Sequence, residues 1–188
     1  VALIKESNAR IQERINEFLS RTALELNRIE IRPRRLNVIE LVEEVIKSSA
    51  SMAQAKQQEI LFKSRLEVSS TYIKADYHRL FQVLENLLGN AIKYSTKQKS
   101  IHIEVSSNET LIRFSIQDQG PGFTESDKEK AFGYFQRLSA QPTGGECSVG
   151  MGLAVARQII ELHQGKIWLE SESGKGATLF VELPKNLG

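Results

Sequence analysis

Between Gln82 and Ser95 the apolar residues Val83, Leu84, Leu87, Leu88, Ala91 and Ile92 recur at spacings of three and four. That period predicts an amphipathic helix with one stripe turned to a core. Asn86, Asn90 and Lys93 form a second stripe, polar this time, with Tyr94 one turn beyond Asn90. Asparagine is a poor helix former because its amide competes for nearby backbone groups, at ~0.5 kcal/mol relative to alanine. Two of them in mid-helix are either incidental surface or are used by something outside the helix. A carboxamide oxygen is a hard, neutral ligand suited to magnesium, and a lysine is a point charge suited to phosphate.

The same patterning organises the rest of the chain. Ile4, Ile11, Ile15, Phe18, Leu19, Leu26 and Ile29 are spaced near three and four, partly as a heptad, with no glycine or proline before Pro33. A long helix over residues 1–31 is expected, packing on other helices. Arg32-Pro33-Arg34-Arg35 breaks the pattern and sets a domain boundary, with residues 1–32 on one side and 33–188 on the other. Asn37 with Glu40 resembles a capping box, so a helix should follow it to about Gln57. Strands are expected over 60–67 and 72–75, and Asp76 should cap the helix that carries the two stripes. Residues 100–107 and 110–117 alternate around Asn108-Glu109, which predicts a hairpin. A short helix over 126–132, an aperiodic stretch over 136–149, a helix over 150–164 stopped by Gly165, and strands over 166–173 and 177–183 complete the reading.

Composition narrows the class. The chain has 188 residues, 40% hydrophobic and 26% charged, with a net charge of +2. These values fit an ordinary globular domain and give no case for nucleic acid or an anionic membrane surface. No apolar run reaches the ~20 residues of a membrane-spanning helix. Cys147 is the only cysteine, which excludes an internal disulfide and a cysteine-based zinc site and suits a reducing compartment.

Three further motifs carry chemistry. In Asp118-Gln119-Gly120-Pro121-Gly122-Phe123 a carboxylate stands at a strand end before two glycines. Such a carboxylate can accept a hydrogen bond from the amine of adenine, whereas the keto group of guanine would oppose it acceptor to acceptor. Alone, the motif reads equally well as a turn with an Asx hydrogen bond. Gly150 and Gly152 lie where the aperiodic stretch becomes a helix, either as a phosphate cradle or as a plain helix entry. Phe132 and Phe135 are read as core anchors, and Arg137 beyond them is suited to a terminal phosphate.

Taken in order, NLLGNAIKYS, DQGPGF, AFGYFQRL, VGMGLAVARQIIELHQGKIWLES and GKGATLFVELP resemble the catalytic, ATP-binding domain of sensor histidine kinases. That domain lies within the wider family of gyrase, heat-shock ninety chaperones and mismatch-repair ATPases. The resemblance covers residues 36–184. It implies an α+β, two-layer sandwich of the Bergerat type, a mixed and mainly antiparallel sheet backed by helices, here preceded by a long N-terminal helix. By position it implies Asn90 as the magnesium ligand and Asn86, Lys93 and Arg137 on the phosphates of ATP. Tyr94 would lie beside the nucleotide and Asp118 would read adenine. Gly120, Gly122, Gly150 and Gly152 would shape the pocket, with Leu153, Thr178 and Leu179 at its wall.

Relatives that hydrolyse ATP use a glutamate one helical turn before the metal-binding asparagine. Here that position is Asn86, whose amide cannot take a proton, and Glu85 points about 100° away around the helix. Transfer to a nucleophile brought from elsewhere is therefore favoured over attack by water. The family's acceptor is a histidine followed by an acidic residue, whereas His78, His102 and His163 are followed by Arg79, Ile103 and Gln164. His78 is read as surface helix, His102 as a strand residue and His163 as a helix end. Residues 1–31 resemble the second helix of the dimerisation hairpin without the first. The expectation is a kinase domain unable to phosphorylate itself, part of a longer cytoplasmic protein whose membrane anchor, if any, lies outside this chain. Its expected partners are the phosphoacceptor histidine hairpin, a response regulator receiver domain and a second copy through residues 1–31. The alternative is a degenerate nucleotide-binding scaffold that docks through the N-terminal helix.

Overall fold

The computed structural model describes residues 29–67, 71–136, 138–140, 143 and 150–186. The chain divides into two compact units, 1–30 and 31–188. The expected helix over 1–31 falls almost entirely outside the described residues, as do Arg137 and Cys147.

Among the described residues of the second unit are seven strands and four helices. The order is β1 (Arg34–Asn37), α1 (Val38–Ala55), β2 (Glu59–Arg65), β3 (Tyr72–Ala75), α2 (Tyr77–Tyr94), β4 (Ser100–Ser107), β5 (Leu111–Gln117), α3 (Glu125–Lys130), α4 (Gly152–Leu162), β6 (Lys166–Ser171) and β7 (Ala177–Pro184). Five strands form one sheet in the order β2-β4-β5-β7-β6. Only β2 and β4 run parallel, joined through α2 and β3, and the other neighbours are antiparallel. No helix among the described residues is long and apolar enough to cross a membrane.

The strand alternation sorts the sheet into an inner and an outer face. Ile101, Ile103 and Val105 of β4, Ile112, Phe114 and Ile116 of β5, and Leu179, Val181 and Leu183 of β7 are buried. The residues between them, such as His102 and Arg113, are exposed. Against the inner face lies the apolar stripe of α2, with Leu87, Leu88, Ala91 and Ile92 all but inaccessible to solvent. α2 also contacts α1 on one side and α4 on the other, so its apolar residues meet both the sheet and its neighbouring helices. Emptying a buried leucine position to alanine typically costs about 2–5 kcal/mol.

Both predicted caps are present. The Asn37 carboxamide accepts from the backbone N–H groups of Ile39 and Glu40 and donates to the Glu40 carboxylate. The Asp76 carboxylate accepts from the Arg79 N–H at 3.1 Å.

The structure corrects the sequence reading in two places. The arginine-rich break contains β1, which pairs antiparallel with β3; four residues with three charged or polar side chains carry no strand period of their own. The left-handed residue after α4 is Gln164, with φ of 57°, whereas Gly165 is required because a Cβ there would collide with the Glu182 carbonyl. His163 is a core residue at the helix end. Its Nδ1 lies 2.8 Å from the Ile159 carbonyl and its Nε2 accepts from the Asp76 N–H at 3.0 Å, the pattern of a neutral ring.

Burial holds the His163 pKa below its ordinary value of 6.5, although the Ile159 hydrogen bond and the Asp76 carboxylate act in the opposite direction. Below pH 6.5 the unfolded chain therefore takes up a proton that the folded chain refuses, and stability falls with falling pH. Urea unfolding as a function of pH should show this loss, limited to about 1.4 kcal/mol per pH unit by one proton. The loss should be absent in His163→Gln.

Candidate functional site

The site is built on the polar stripe of α2 because two other parts of the chain close on that stripe from its ends. At the C-terminal end the Ser95 hydroxyl accepts from the Gln119 N–H at 3.1 Å. A Cβ on Gly120 would stand 2.9 Å from the Tyr94 carbonyl oxygen, so the loop after β5 lies directly on the last turn of α2. At the other end the Asn86 carboxamide occupies the space that a side chain on Gly152 would need. Asn90, Lys93 and Tyr94, all half-buried, lie between these two clamps or at the second. From Asn86 to Tyr94 the helix rises roughly 12 Å, the scale of an extended nucleoside triphosphate.

Asp118 is buried. Its backbone N–H donates to the Ala177 carbonyl at 2.9 Å, and its Oδ1 accepts from the Gly120 N–H at 2.8 Å. The Ala177 backbone amide also approaches the carboxylate, and because each carboxylate oxygen has two lone pairs, acceptor capacity is left for a ligand. Burial raises the carboxyl pKa above 3.8, partly opposed by the Gly120 and Ala177 backbone contacts. Gly122 holds φ of +70°, and any side chain there would strike the Glu172 carbonyl. The Phe123 N–H that follows donates to the Ser171 hydroxyl at 2.8 Å, which ties this loop to β6.

Asn86 carries a specific signal. Its Nδ2 is buried and has no hydrogen-bond partner, which ordinarily costs about 1–3 kcal/mol. A cavity of about 130 Å³ opens beside it between α2 and α4, lined by Gln82, Val83, Met151, Gly152, Val155, Ala156 and Ile159. An anion's oxygen placed there would satisfy the amide. The cavity is smaller than the roughly 300–1,000 Å³ of a whole-ligand pocket, and Gln82 and Asn86 are its polar side chains. Asn90 makes no side-chain hydrogen bond among the described residues, which leaves its carboxamide oxygen available to a cation. Asn86 and Asn90 thus fit a phosphate and its metal respectively.

The remaining sequence candidates divide. Gly150 is described, and a Cβ on it would meet the Gln136 carbonyl, so the two residues that bracket 137–149 touch. Leu153 is half-buried in the first turn of α4. Thr178 and Leu179 cannot both line one pocket, because adjacent strand residues point to opposite faces. Leu179 is buried on the side of α2, while Thr178 pairs with the exposed Gln117 and Glu170. Phe135 is also no core anchor: it is 38% exposed with φ of 57°, and only Phe132 is half-buried. The reading of aromatic spacing missed that the chain leaves the helix after Lys130.

Sequence reasoning also passed over Asp127. Its carboxylate closes a capping box with Thr124 and accepts from both the N–H and the hydroxyl of Ser139. These donors, the Ser139 hydroxyl first, hold its pKa down to about 2. The T-x-x-D spacing was available as a signal, but the Ser139 contact was not.

A carboxylate loop at the C-terminal end of one carboxamide-bearing helix and a glycine-bearing helix start against its middle, over an α+β sheet, define a nucleotide-binding domain. The chain belongs to the histidine kinase-, DNA gyrase B-, and HSP90-like ATPase family, whose model matches residues 75–187. It is 35% identical over 131 residues to the sensor histidine kinase WalK of Bacillus subtilis, which takes in 69% of this chain and 21% of WalK. The chain therefore spans about a fifth of that relative's length. Among solved structures it resembles the catalytic domain of histidine kinase ThkA, with a TM-score of 0.72 and 31% identity over 82% of this chain and 97% of that one. It also resembles histidine kinase ThkA in complex with the response regulator protein TrrA, with a TM-score of 0.74 and 28% identity over 93% of this chain and 48% of that one.

The contact between Gly152 and Asn86 can be tested by a double substitution. Gly152→Ala should swing the Asn86 carboxamide aside and weaken nucleotide binding about tenfold, or about 1.4 kcal/mol, in calorimetric titration. In the background of Asn86→Ala the same change should cost nothing further, because the two residues act as one unit.

Proposed function

We propose that this chain is the ATP-binding catalytic domain of a sensor histidine kinase, transferring the γ-phosphoryl group of ATP to a histidine on a dimerisation hairpin. The observation that carries this reading is the Asn86 carboxamide, buried beside Gly152 with an unsatisfied N–H, at the position where a hydrolase would need a carboxylate. An amide there can donate to a phosphate oxygen but cannot take a proton from water. Asn90 is the protein oxygen for a magnesium ion, which when bound would neutralise phosphate charge. Lys93, Tyr94 and Arg137 complete the phosphate and ribose side. Asp118 accepts from the adenine amine through its remaining lone pairs, and Gly120, Gly122 and Gly150 keep the backbone close to the ligand.

The nucleophile comes from elsewhere. Both ring nitrogens of the buried His163 are engaged, and neither His78 nor His102 is followed by an acidic residue. Residues 1–32 serve as the second helix of the hairpin and as a dimer contact, and residues 33–188 as the catalytic domain. The phosphoryl group then passes to a response regulator receiver domain, a partner supported by the ThkA complex. We assign the domain to the cytoplasm, the compartment that supplies ATP.

Supplying a separate hairpin that bears the acceptor histidine, together with γ-labelled ATP, should put label on the hairpin. Steady release of free phosphate by this chain alone, with no label on the hairpin, would instead make it an ATPase. Asp118→Asn and Asn90→Ala should each abolish nucleotide binding in calorimetry. Because the Asp118 pKa is raised, its acceptor oxygen is lost as pH falls through a value above 3.8. Nucleotide affinity should therefore drop on acidification before an ordinary aspartate would titrate.

A further inference from the structure

Lys56 follows α1 and looks in the sequence like a solvent-facing charge, yet it is only 6% exposed. Its ammonium reaches across to the C-terminal end of α2. It donates to the Ile92 carbonyl at 3.1 Å, the Lys93 carbonyl at 2.8 Å and the Thr143 hydroxyl at 2.9 Å. A lysine has three N–H donors, and these are acceptors for them among the described residues. Next to it the Gln58 amide nitrogen reaches the carbonyls of Ile92, Ser95 and Thr96 at 3.2, 3.0 and 3.0 Å. Thr143 adds its own N–H to the Lys93 carbonyl at 3.1 Å, and its hydroxyl lies 3.0 and 2.9 Å from the carbonyls of Lys93 and Ser95.

The last carbonyls of a helix have no partner within it and carry the negative end of its dipole. Here they are met by a cation from one side and by an otherwise distant residue, Thr143, from the other. The turn secured in this way is the one that carries Lys93 and Tyr94. It continues into Ser95, whose hydroxyl holds the Gln119 N–H one residue from Asp118. A shift of this turn would move the adenine-reading carboxylate relative to the helix that contacts the rest of the nucleotide.

We propose that Lys56 is a positioning residue for nucleotide recognition. Its ammonium, with Thr143, sets the C-terminal turn of α2 and thereby the place of the Asp118 loop. This inference rests on the nucleotide-site reading above, and deepens it by naming what holds the base-selective end in register. A purely structural cap would lower the melting temperature and leave the affinity of the folded protein, and its preference for adenine, untouched.

The test is calorimetric titration of the wild-type chain, Lys56→Met, Lys56→Arg and Thr143→Val with ADP and with GDP, each below its measured melting temperature. Lys56→Met should bind ADP about tenfold more weakly and lose most of the preference for ADP over GDP, and Lys56→Arg should recover part of both. Thr143→Val removes one of the three acceptors without emptying the core. It should weaken ADP binding severalfold at a melting temperature close to that of the wild type. A folded Lys56→Met with wild-type ADP affinity and selectivity overturns the proposal. If Lys56→Met does not fold, Thr143→Val with wild-type affinity and selectivity overturns it. A wild-type chain that binds neither nucleotide would instead overturn the site reading on which the proposal stands.

Discussion

One helix has to satisfy two neighbours at once. The apolar stripe of α2 is buried against the sheet, α1 and α4, and the rotation that buries Leu84, Leu88 and Ile92 also fixes where Asn86, Asn90 and Lys93 point. A helix turns about 100° per residue, so neither stripe can move without the other. Hydrophobic burial, the largest favourable force in the fold, thus sets the direction of the polar groups that would meet a nucleotide. The site is precise because it is the reverse side of the core.

Rotation about its axis is fixed by packing, but position along the axis needs the ends. At the N-terminal end Asp76 caps the helix through Arg79, receives the Arg32 N–H at 2.7 Å and donates its own N–H to His163. This joins the linker before β1, the start of α2 and the end of α4 at one residue. At the C-terminal end Lys56, Gln58 and Thr143 collect the carbonyls that have no partner within the helix. Buried polar groups that are paired hold a unique arrangement more firmly than apolar contact alone; in the second cluster the Lys56 ammonium and the Gln58 Nε2 are so paired, while the Gln58 Oε1 is buried without a partner. The single buried group left unpaired on this helix, the Asn86 amide, faces the cavity between α2 and α4.

The chemistry follows from the kind of residue at that point. A carboxylate one turn before Asn90 would make a base for water, whereas a carboxamide offers only hydrogen bonds. The domain is therefore suited to holding a phosphoryl donor until a nucleophile arrives.

Periodicity in the sequence was enough to determine the helices among the described residues, the hairpin strands and the two caps at Asn37 and Asp76, because each depends on residues within a turn or two. The order of the glycine, asparagine and aspartate motifs likewise determined the family. What only the tertiary structure decided were the pairings between positions far apart: β1 with β3, His163 with Asp76, Lys56 with the end of α2, Gly152 against Asn86, and the opposite faces of Thr178 and Leu179. A buried lysine and an exposed one look alike in a list of residues, since the environment that distinguishes them is contributed by atoms dozens of residues away. Phe135 went wrong for the same reason: its three-residue spacing from Phe132 predicts a shared face only while the backbone stays helical, and there the helix has already ended.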